Sequence, residues 1–333
     1  FNVVLAPGAC ITGLGGGRDG DPVLKISGAS NISISGFGCL DSNFGIHLVD
    51  ISEISNLRIE GLLLRNCSGW GIPLEASDQV LLKNIKLYSG VDGIDPVVST
   101  NVTIEGSLLA SGDDAVAIKN KDVSDTKTVT DNIKTLRSLA ISGKSALKVG
   151  TETVGPIRNV LFDRVDVIDG ERGMVISAVD SGPISNVVYS NIRLFMTNWS
   201  DESRSGEVWE LTTFNNAAST SESRPRQPTP VTGAVFRNIY ANVIMNALFD
   251  AAPQTPMNVA MENVILNVDA QKNGSSQFLF SLNPDFPHVT VNATGLKIGW
   301  GTQRSRWQGL SNGSWFQAPG IQQVDGLLAI PQF

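Results

Sequence analysis

The sequence predicts an all-β chain wound as a parallel β-helix, and three observations predict it. Short strand-like segments recur along the 333 residues at intervals of 22 to 31. The clearest copies open on Asn or Gln and alternate apolar with polar residues. Glycine is abundant at 33 residues while aromatics make up only 7%, the balance expected of many turns between short strands.

The segments run Asn31-Ile-Ser-Ile-Ser-Gly36, Asn56-Leu-Arg-Ile-Glu-Gly61, Gln79-Val-Leu-Leu-Lys-Asn84 and Asn101-Val-Thr-Ile-Glu-Gly106. Weaker copies begin at Asn132, Asn159, Asn186 and Asn258. The first six intervals are 25, 23, 22, 31, 27 and 27 residues between successive starts up to Asn186. A second register supports the alignment: Gly90, Gly112, Gly143 and Gly170 each lie 11 residues after a segment start. Period-two alternation, as in Val102 and Ile104 against Thr103 and Glu105, marks strands with one buried face. One such repeat cannot cover its own apolar face, but stacked repeats share a continuous core. Leucine-rich horseshoes have a similar period, yet their consensus spacing and helical segment are absent here. Asn recurring at one position also suits a ladder of side-chain amides stacked at a coil corner.

Residues 1–333 read as one β-helix domain with three departures from the repeat. The polar stretch near 119–131 reads as a loop, and the Ser/Glu/Arg/Pro-rich stretch near 200–230 reads as a long surface excursion. Near 290–333 the repeat fades, and Trp300, Trp307 and Trp315 read as a hydrophobic end-cap.

Composition excludes several classes. At 41% hydrophobic and 17% charged, the chain can build a sizeable core and is not disordered. Its 25 basic and 32 acidic residues give net −7, so no general electrostatic case exists for nucleic acid or an anionic membrane as partner. No apolar run approaches the roughly 18 residues of a membrane-spanning helix. Cys10, Cys39 and Cys67 allow one disulfide and a spare thiol, or none. With only His47 and His288, a structural zinc site is not expected, and neither a metal nor another cofactor is assigned. The opening Phe1-Asn2-Val3-Val4-Leu5 looks like a mature or trimmed chain, and seven Asn-x-Ser/Thr sequons permit glycosylation. A secreted monomer is the expectation.

Carboxylates cluster where coils meet. Gly90-Val-Asp-Gly-Ile-Asp95 ends one coil and Ser111-Gly-Asp-Asp-Ala115 ends the next. Asp92 and Asp113 are 21 residues apart, about one coil, and are expected to stack on one face. With strands roughly 4.8 Å apart, Asp92, Asp113 and Asp114 then lie too close for all three to ionise freely, and at least one pKa rises. A protonated acid beside ionised carboxylates is the equipment of glycosidic cleavage. Asp-Gly pairs as plain turn residues, or a calcium site, are the competing readings.

Val91-Asp92-Gly93-Ile94-Asp95 and Gly112-Asp113-Asp114-Ala115-Val116-Ala117-Ile118-Lys119 resemble the paired signatures NTDG[IF]D and GDDC[IV]AIK of glycoside hydrolase family 28, which includes polygalacturonases and rhamnogalacturonases. Leu5-Ala-Pro-Gly-Ala9 and the coil from Asn31 to Asp41 resemble its N-terminal coils, and the likeness covers about residues 1 to 195. The resemblance implies a right-handed parallel β-helix and hydrolysis with inversion. It makes Asp113 the general acid, with Asp92 and Asp114 positioning and deprotonating water. Room for that water implies acid and base roughly 6.5–9.5 Å apart.

The sequence departs from the family at three places. The signature Asn falls on Gly90. The Gly-His-Gly element falls near Gly143 to Gly150, where Lys144 or Ser145 occupies the histidine position. The Arg-Ile-Lys triplet, whose cations meet a sugar carboxylate, falls on Val175-Ile176-Ser177. The substrate is therefore expected to be a neutral or weakly charged glycan and not standard polygalacturonan, unless Lys119, Lys144, Lys148 and Arg172 rebuild a basic pocket. Glu152 is a further candidate for sugar hydroxyls. A non-catalytic carbohydrate-binding β-helix is one rival reading. The other is a polysaccharide lyase using Lys144 or Arg172 as base.

Overall fold

The computed structural model describes residues 1–17, 20–121, 129–196, 206–213, 229–243, 247–250, 255–268, 280–282, 289–294, 296–300 and 321–325. Each regular coil contributes three strands. In one coil they are Asp78–Lys83, Lys86–Ser89 and Ile94–Val97; in the next, Thr100–Glu105, Leu108–Ser111 and Val116–Asn120. Equivalent strands of successive coils pair in parallel, Val80 with Val102 and Ile94 with Val116. The third strands form their own ladder of ten, from Leu24–Ser27 to Phe280–Leu282. Later coils fuse the first two strands into one, as in Ile184–Phe195, Val231–Val243 and Met257–Val268. This is the parallel β-helix that the sequence predicts.

Alternation explains the core. Within Thr100–Glu105 only Val102 and Ile104 turn inward, and parallel register stacks like positions along the axis. One interior column runs Ile59, Leu82, Ile104, Thr135, Phe162, Tyr189 and Phe236. Its last three rings stack nearly parallel, with centroids 4.9 and 5.1 Å apart. The Tyr189 hydroxyl is fully buried and donates to the Val175 carbonyl at 3.0 Å, so it is satisfied within the column, whereas the buried Thr135 hydroxyl is not.

The recurring Asn has a double physical reason. Asn31, Asn56, Asn101, Asn132, Asn159 and Asn186 all have left-handed backbone, with φ between 54° and 60°. Among non-glycine residues Asn tolerates that region best. Its amide then bridges coils: Asn56 donates to Asn31, Asn132 to Asn101 and Asn186 to Asn159, at 2.7, 2.7 and 2.6 Å. Where the ladder reaches Gln79, Asp78 takes over and accepts from Asn101. These bonds also occupy the side chains of two sequons, Asn31 and Asn101, while that of Asn66 donates to Asp41.

Cys10 and Cys39, aligned partners in the ladder, form a disulfide, and Cys67 is a buried free thiol. Two stretches differ from the sequence reading. Lys119 and Asn120 complete the strand Val116–Asn120, and Thr130 begins the next strand, so the loop is shorter than 119–131. Within 200–230, Glu207–Thr212 is a strand of the ten-stranded ladder and not surface excursion, with Trp209 wholly buried. Its six residues, with only Val208, Trp209 and Leu211 apolar, are outnumbered by polar neighbours, which masks the strand. In the region read as a cap, Val289–Thr294 and Leu296–Trp300 continue the parallel pairing; Trp307 and Trp315 lie outside the described residues.

Candidate active site

The acidic turns enter the ten-stranded ladder over a column of glycines. A Cβ on Gly112 would fall 2.2 Å from the Gly90 carbonyl oxygen, and one on Gly143 would fall 2.1 Å from that of Gly112. Only glycine lets these backbones stack so closely. The following residues are thereby held in fixed register.

That register corrects one expectation. The coil here is 22 residues, so Asp92 stacks on Asp114 and not on Asp113. The Asp114 amide donates to Asp92 Oδ1 at 3.2 Å, and the Ser145 amide donates to Asp114 Oδ1 at 3.0 Å. Arg172, aligned with Ser145, continues the same column. Asp113 lies beside it, its own amide donating to the Val91 carbonyl. Asp92, Asp113 and Asp114 nonetheless converge, each offering an oxygen within 4.8 Å of the others. This is closer than the spacing expected for an acid and base with a water between them, because adjacent coils sit about one strand spacing apart.

The three acids differ in surroundings. Asp92 and Asp114 are 4% and 3% exposed, whereas Asp113 is partly open to solvent. Lys119 Nζ lies 2.7 Å from Asp92 Oδ2 and 2.8 Å from Asp95 Oδ1, and Lys148 Nζ lies 2.6 Å from Asp114 Oδ2. Burial, reinforced by the Asp114 and Asp92 charges, pushes the Asp113 carboxyl up to about 6. Burial also pushes on Asp114, but the Lys148 ammonium and the Ser145 amide outweigh it and hold that carboxyl below its usual range. Of the two, Asp113 is the carboxyl whose surroundings favour the protonated form. Asp95, fully buried beneath, is raised well above the ordinary carboxylate range by burial. Burial alone would lower Lys119, but Asp95, Glu152 and Asp92 raise it, so it stays charged.

The remaining sequence candidates surround the trio unequally. Lys119 is 3% exposed and locked under the acids, which leaves it no free surface for a sugar. Ser145 is fully buried and contributes its backbone amide, not its hydroxyl, to the site. Lys144 pairs with Glu171 at 2.9 Å, and Arg172 pairs with Glu210 at 3.0 Å. Glu152 is a partly exposed carboxylate held below its usual range, where burial is outweighed by Lys119 and, further down, Lys148 and Lys121. Val175 sits between Lys148 and Glu210 in the ladder and offers no charge.

Residue-type reasoning missed Trp70, Lys121, Glu171, Glu210 and the role of Asp95. Trp70 stands one coil before Asp92 in the same column, and the 22-residue spacing alone marks it. The acid trio could offer oxygens to a cation, but two lysine ammoniums already neutralise Asp92 and Asp114, so the donor set is poorly matched to one.

The Glycosyl hydrolases family 28 profile matches residues 15–276, most of the sequence. The chain belongs to glycosyl hydrolase family 28. Among its relatives it is 25% identical over 240 residues to a probable polygalacturonase of Vitis vinifera, covering 68% of this chain and 47% of that protein. It is 25% identical over 299 residues to an endo-polygalacturonase of Pectobacterium carotovorum subsp. carotovorum, covering 80% of this chain and 70% of the relative. The chain thus spans about half the length of the grapevine protein. The fold is shared with the family 28 exopolygalacturonase of Yersinia enterocolitica, at TM-score 0.64 and 13% identity over 98% of this chain and 70% of that one. It is shared too with an endo-xylogalacturonan hydrolase from Aspergillus tubingensis, at TM-score 0.60 and 15% identity over 88% and 91%. In this family member the two acidic signatures therefore lie in family context.

Proposed function

We propose that the protein is a glycoside hydrolase that cleaves a polysaccharide by inversion, with Asp113 as general acid and Asp92 and Asp114 holding and activating water. The observation that carries this is the division of charge within one trio. A carboxyl raised to about 6 is partly exposed, beside two buried carboxylates that each form an ion pair with a lysine. A protonated Asp113 gives its proton to the leaving glycosidic oxygen, and water adds to the opposite face of the sugar. Covalent attack by Asp92 or Asp114 is disfavoured, because each has both oxygens engaged by an amide and a lysine.

The scissile sugar is neutral or weakly charged. Lys119, Lys144, Lys148 and Arg172 are all bound to carboxylates of the chain, and Val175-Ile176-Ser177 supplies no cation. The same pairings weigh against a lyase: Arg172 is raised above its usual value, with burial outweighed by Glu210 and Glu171, and makes a poor base. Family membership and polygalacturonase relatives support a carbohydrate substrate and an extracellular setting.

The test is reducing-end release from a glycan panel, with product anomers followed by NMR. Asp113→Asn is expected to abolish release, a loss on the order of 10²–10⁴-fold for a missing general acid. Turnover retained in that variant removes Asp113 from the acid role; a retained anomer removes the water-activation scheme.

A further inference from the structure

Beneath the acids lies a charged group that the scheme for hydrolysis leaves unused. Asp95, in the strand Ile94–Val97, is wholly buried. Lys119 comes from the next coil to stand between two carboxyls, with Nζ 2.8 Å from Asp95 Oδ1 and 2.7 Å from Asp92 Oδ2. None of the three residues is more than 4% exposed. Two carboxyls and one ammonium are therefore enclosed together, and with both carboxyls ionised the set would hold an unmatched charge out of water. The surroundings do not supply the missing cation at Asp95. Its neighbour on the preceding coil is the uncharged Pro73. Lys148 is held by Asp114, and Lys121 rests on the Trp70 indole, with Nζ 3.8 Å from the ring centroid. That indole also faces Lys119, 3.9 Å from its centroid, while Glu152 adds a further negative charge acting on Lys119. The two carboxyls differ in their partners. Asp92 accepts from the Asp114 amide on one oxygen and from Lys119 on the other, so a proton on either would meet a donor. Among the described residues neither Asp95 oxygen accepts a well-formed hydrogen bond.

We propose that Asp95 is a positioning residue for the hydrolysis: it carries the proton that makes the buried set neutral, and it fixes the Lys119 ammonium against Asp92. The proposal rests on the glycosidase reading and deepens it. Activation of water by Asp92 requires that carboxyl to accept a proton as the new bond to the sugar forms. One ammonium matched to one carboxylate leaves Asp92 able to do so within a neutral group. A second anion at Asp95 would instead compete for Lys119 and draw it from the reacting side. Burial raises the Asp95 carboxyl well above the ordinary range despite the pull of Lys119, which agrees with a retained proton. Asp95 is too deeply enclosed to meet a sugar and acts through Lys119 alone. Its carbonyl oxygen remains an acceptor toward the ammonium when the carboxyl is neutral.

Two variants and one spectrum test this. Asp95→Leu keeps the bulk but offers Lys119 no acceptor, and kcat should fall about 10²-fold as the ammonium loses its second holder. The acidic limb of its pH profile should move to higher pH, because Asp92 loses part of its countercharge. Asp95→Asn, the nearest uncharged likeness of a protonated aspartate, should recover kcat to within about threefold of the parent and restore the parent profile. A profile displaced in Asp95→Asn, or a kcat as low as that of the Leu variant, would overturn the proposal. The proton itself is read without substrate, in the infrared difference spectrum of the parent minus Asp95→Asn at about pH 7. The spectrum should show a carboxylic acid C=O band that shifts in heavy water. Carboxylate bands in its place would overturn the proposal even if Asp95→Leu fails to fold. Since the spectrum involves no turnover, the acid band in a chain that cleaves no glycan would sink the hydrolytic reading and leave the protonated Asp95 standing. Carboxylate bands in a chain that does cleave would do the reverse.

Discussion

Two neighbouring aspartates with opposite electrostatic fates define the site at the scale of single residues. Asp113 and Asp114 are adjacent in the turn between two strands, but one is partly open to solvent and the other is buried against the Lys148 ammonium. Lys148→Met removes the countercharge that keeps Asp114 ionised, so the proton is no longer confined to Asp113. The expected result is a kcat about 10²-fold lower with an altered pH profile, in a chain of unchanged fold. Lys148→Arg should restore most of the rate, and a kcat unaffected by Lys148→Met would show that the pair does no electrostatic work.

Asp113 also leaves a thermodynamic trace. Its folded carboxyl binds a proton more tightly than the unfolded one, about 6 against an ordinary 3.8. Stability from this group is full below about pH 4 and is lost as pH rises through about 6. Asp113→Asn should therefore melt higher than the parent at pH 7, by about 1–2 kcal/mol, and match it near pH 4. Thermal unfolding at the two pH values measures this, and an equal difference at both would exclude the shift. The acidic signatures made these aspartates legible in the sequence. The pairing of Asp92 with Asp114 was not, because a one-residue difference in coil length decides it. Nor were Trp70 and Lys121, whose meaning depends on a fold that sets residues 22 and 29 positions from Asp92 beside the acids.

At the scale of the element, the Asn ladder was readable because it joins two demands in one residue type. The backbone needs φ near +56° at Asn132, and the next coil needs an amide partner. These demands can be separated. Asn132→Ala loses both and should cost about 1–2 kcal/mol, whereas Asn132→Gly keeps the left-handed backbone and should cost less. Chemical denaturation of the two variants ranks them, and equal losses would mean that the amide bond alone matters. The strand Glu207–Thr212 shows the opposite case. It is buried on both faces, with Val208, Trp209 and Leu211 all enclosed, but it is short and set within a long polar stretch. Composition averaged over such a stretch reports the majority and hides six residues that the ladder recruits.

At the scale of the whole molecule, contacts run almost entirely between successive coils, as in other solenoids. The Cys10–Cys39 disulfide ties the first coils together, several coils away from Asp92 and Asp114. Cys10→Ser with Cys39→Ser should lower the midpoint of unfolding, by up to about 3 kcal/mol on chain-entropy grounds, while kcat stays near that of the parent. A large loss of kcat would reveal coupling along the axis that nearest-neighbour stacking does not provide. The overall architecture was legible because every coil repeats the same local grammar; the site's charge pattern was not, since it arises between coils.

The glycines beneath the acids carry a last implication. With Gly90, Gly112 and Gly143 at backbone contact, the track under the carboxylates admits no substitution that would widen or tilt it. Relatives that evolve toward another glycan can therefore keep the same proton-transfer chassis and must exchange upholstery instead, altering outward side chains on the flanking strands one coil at a time.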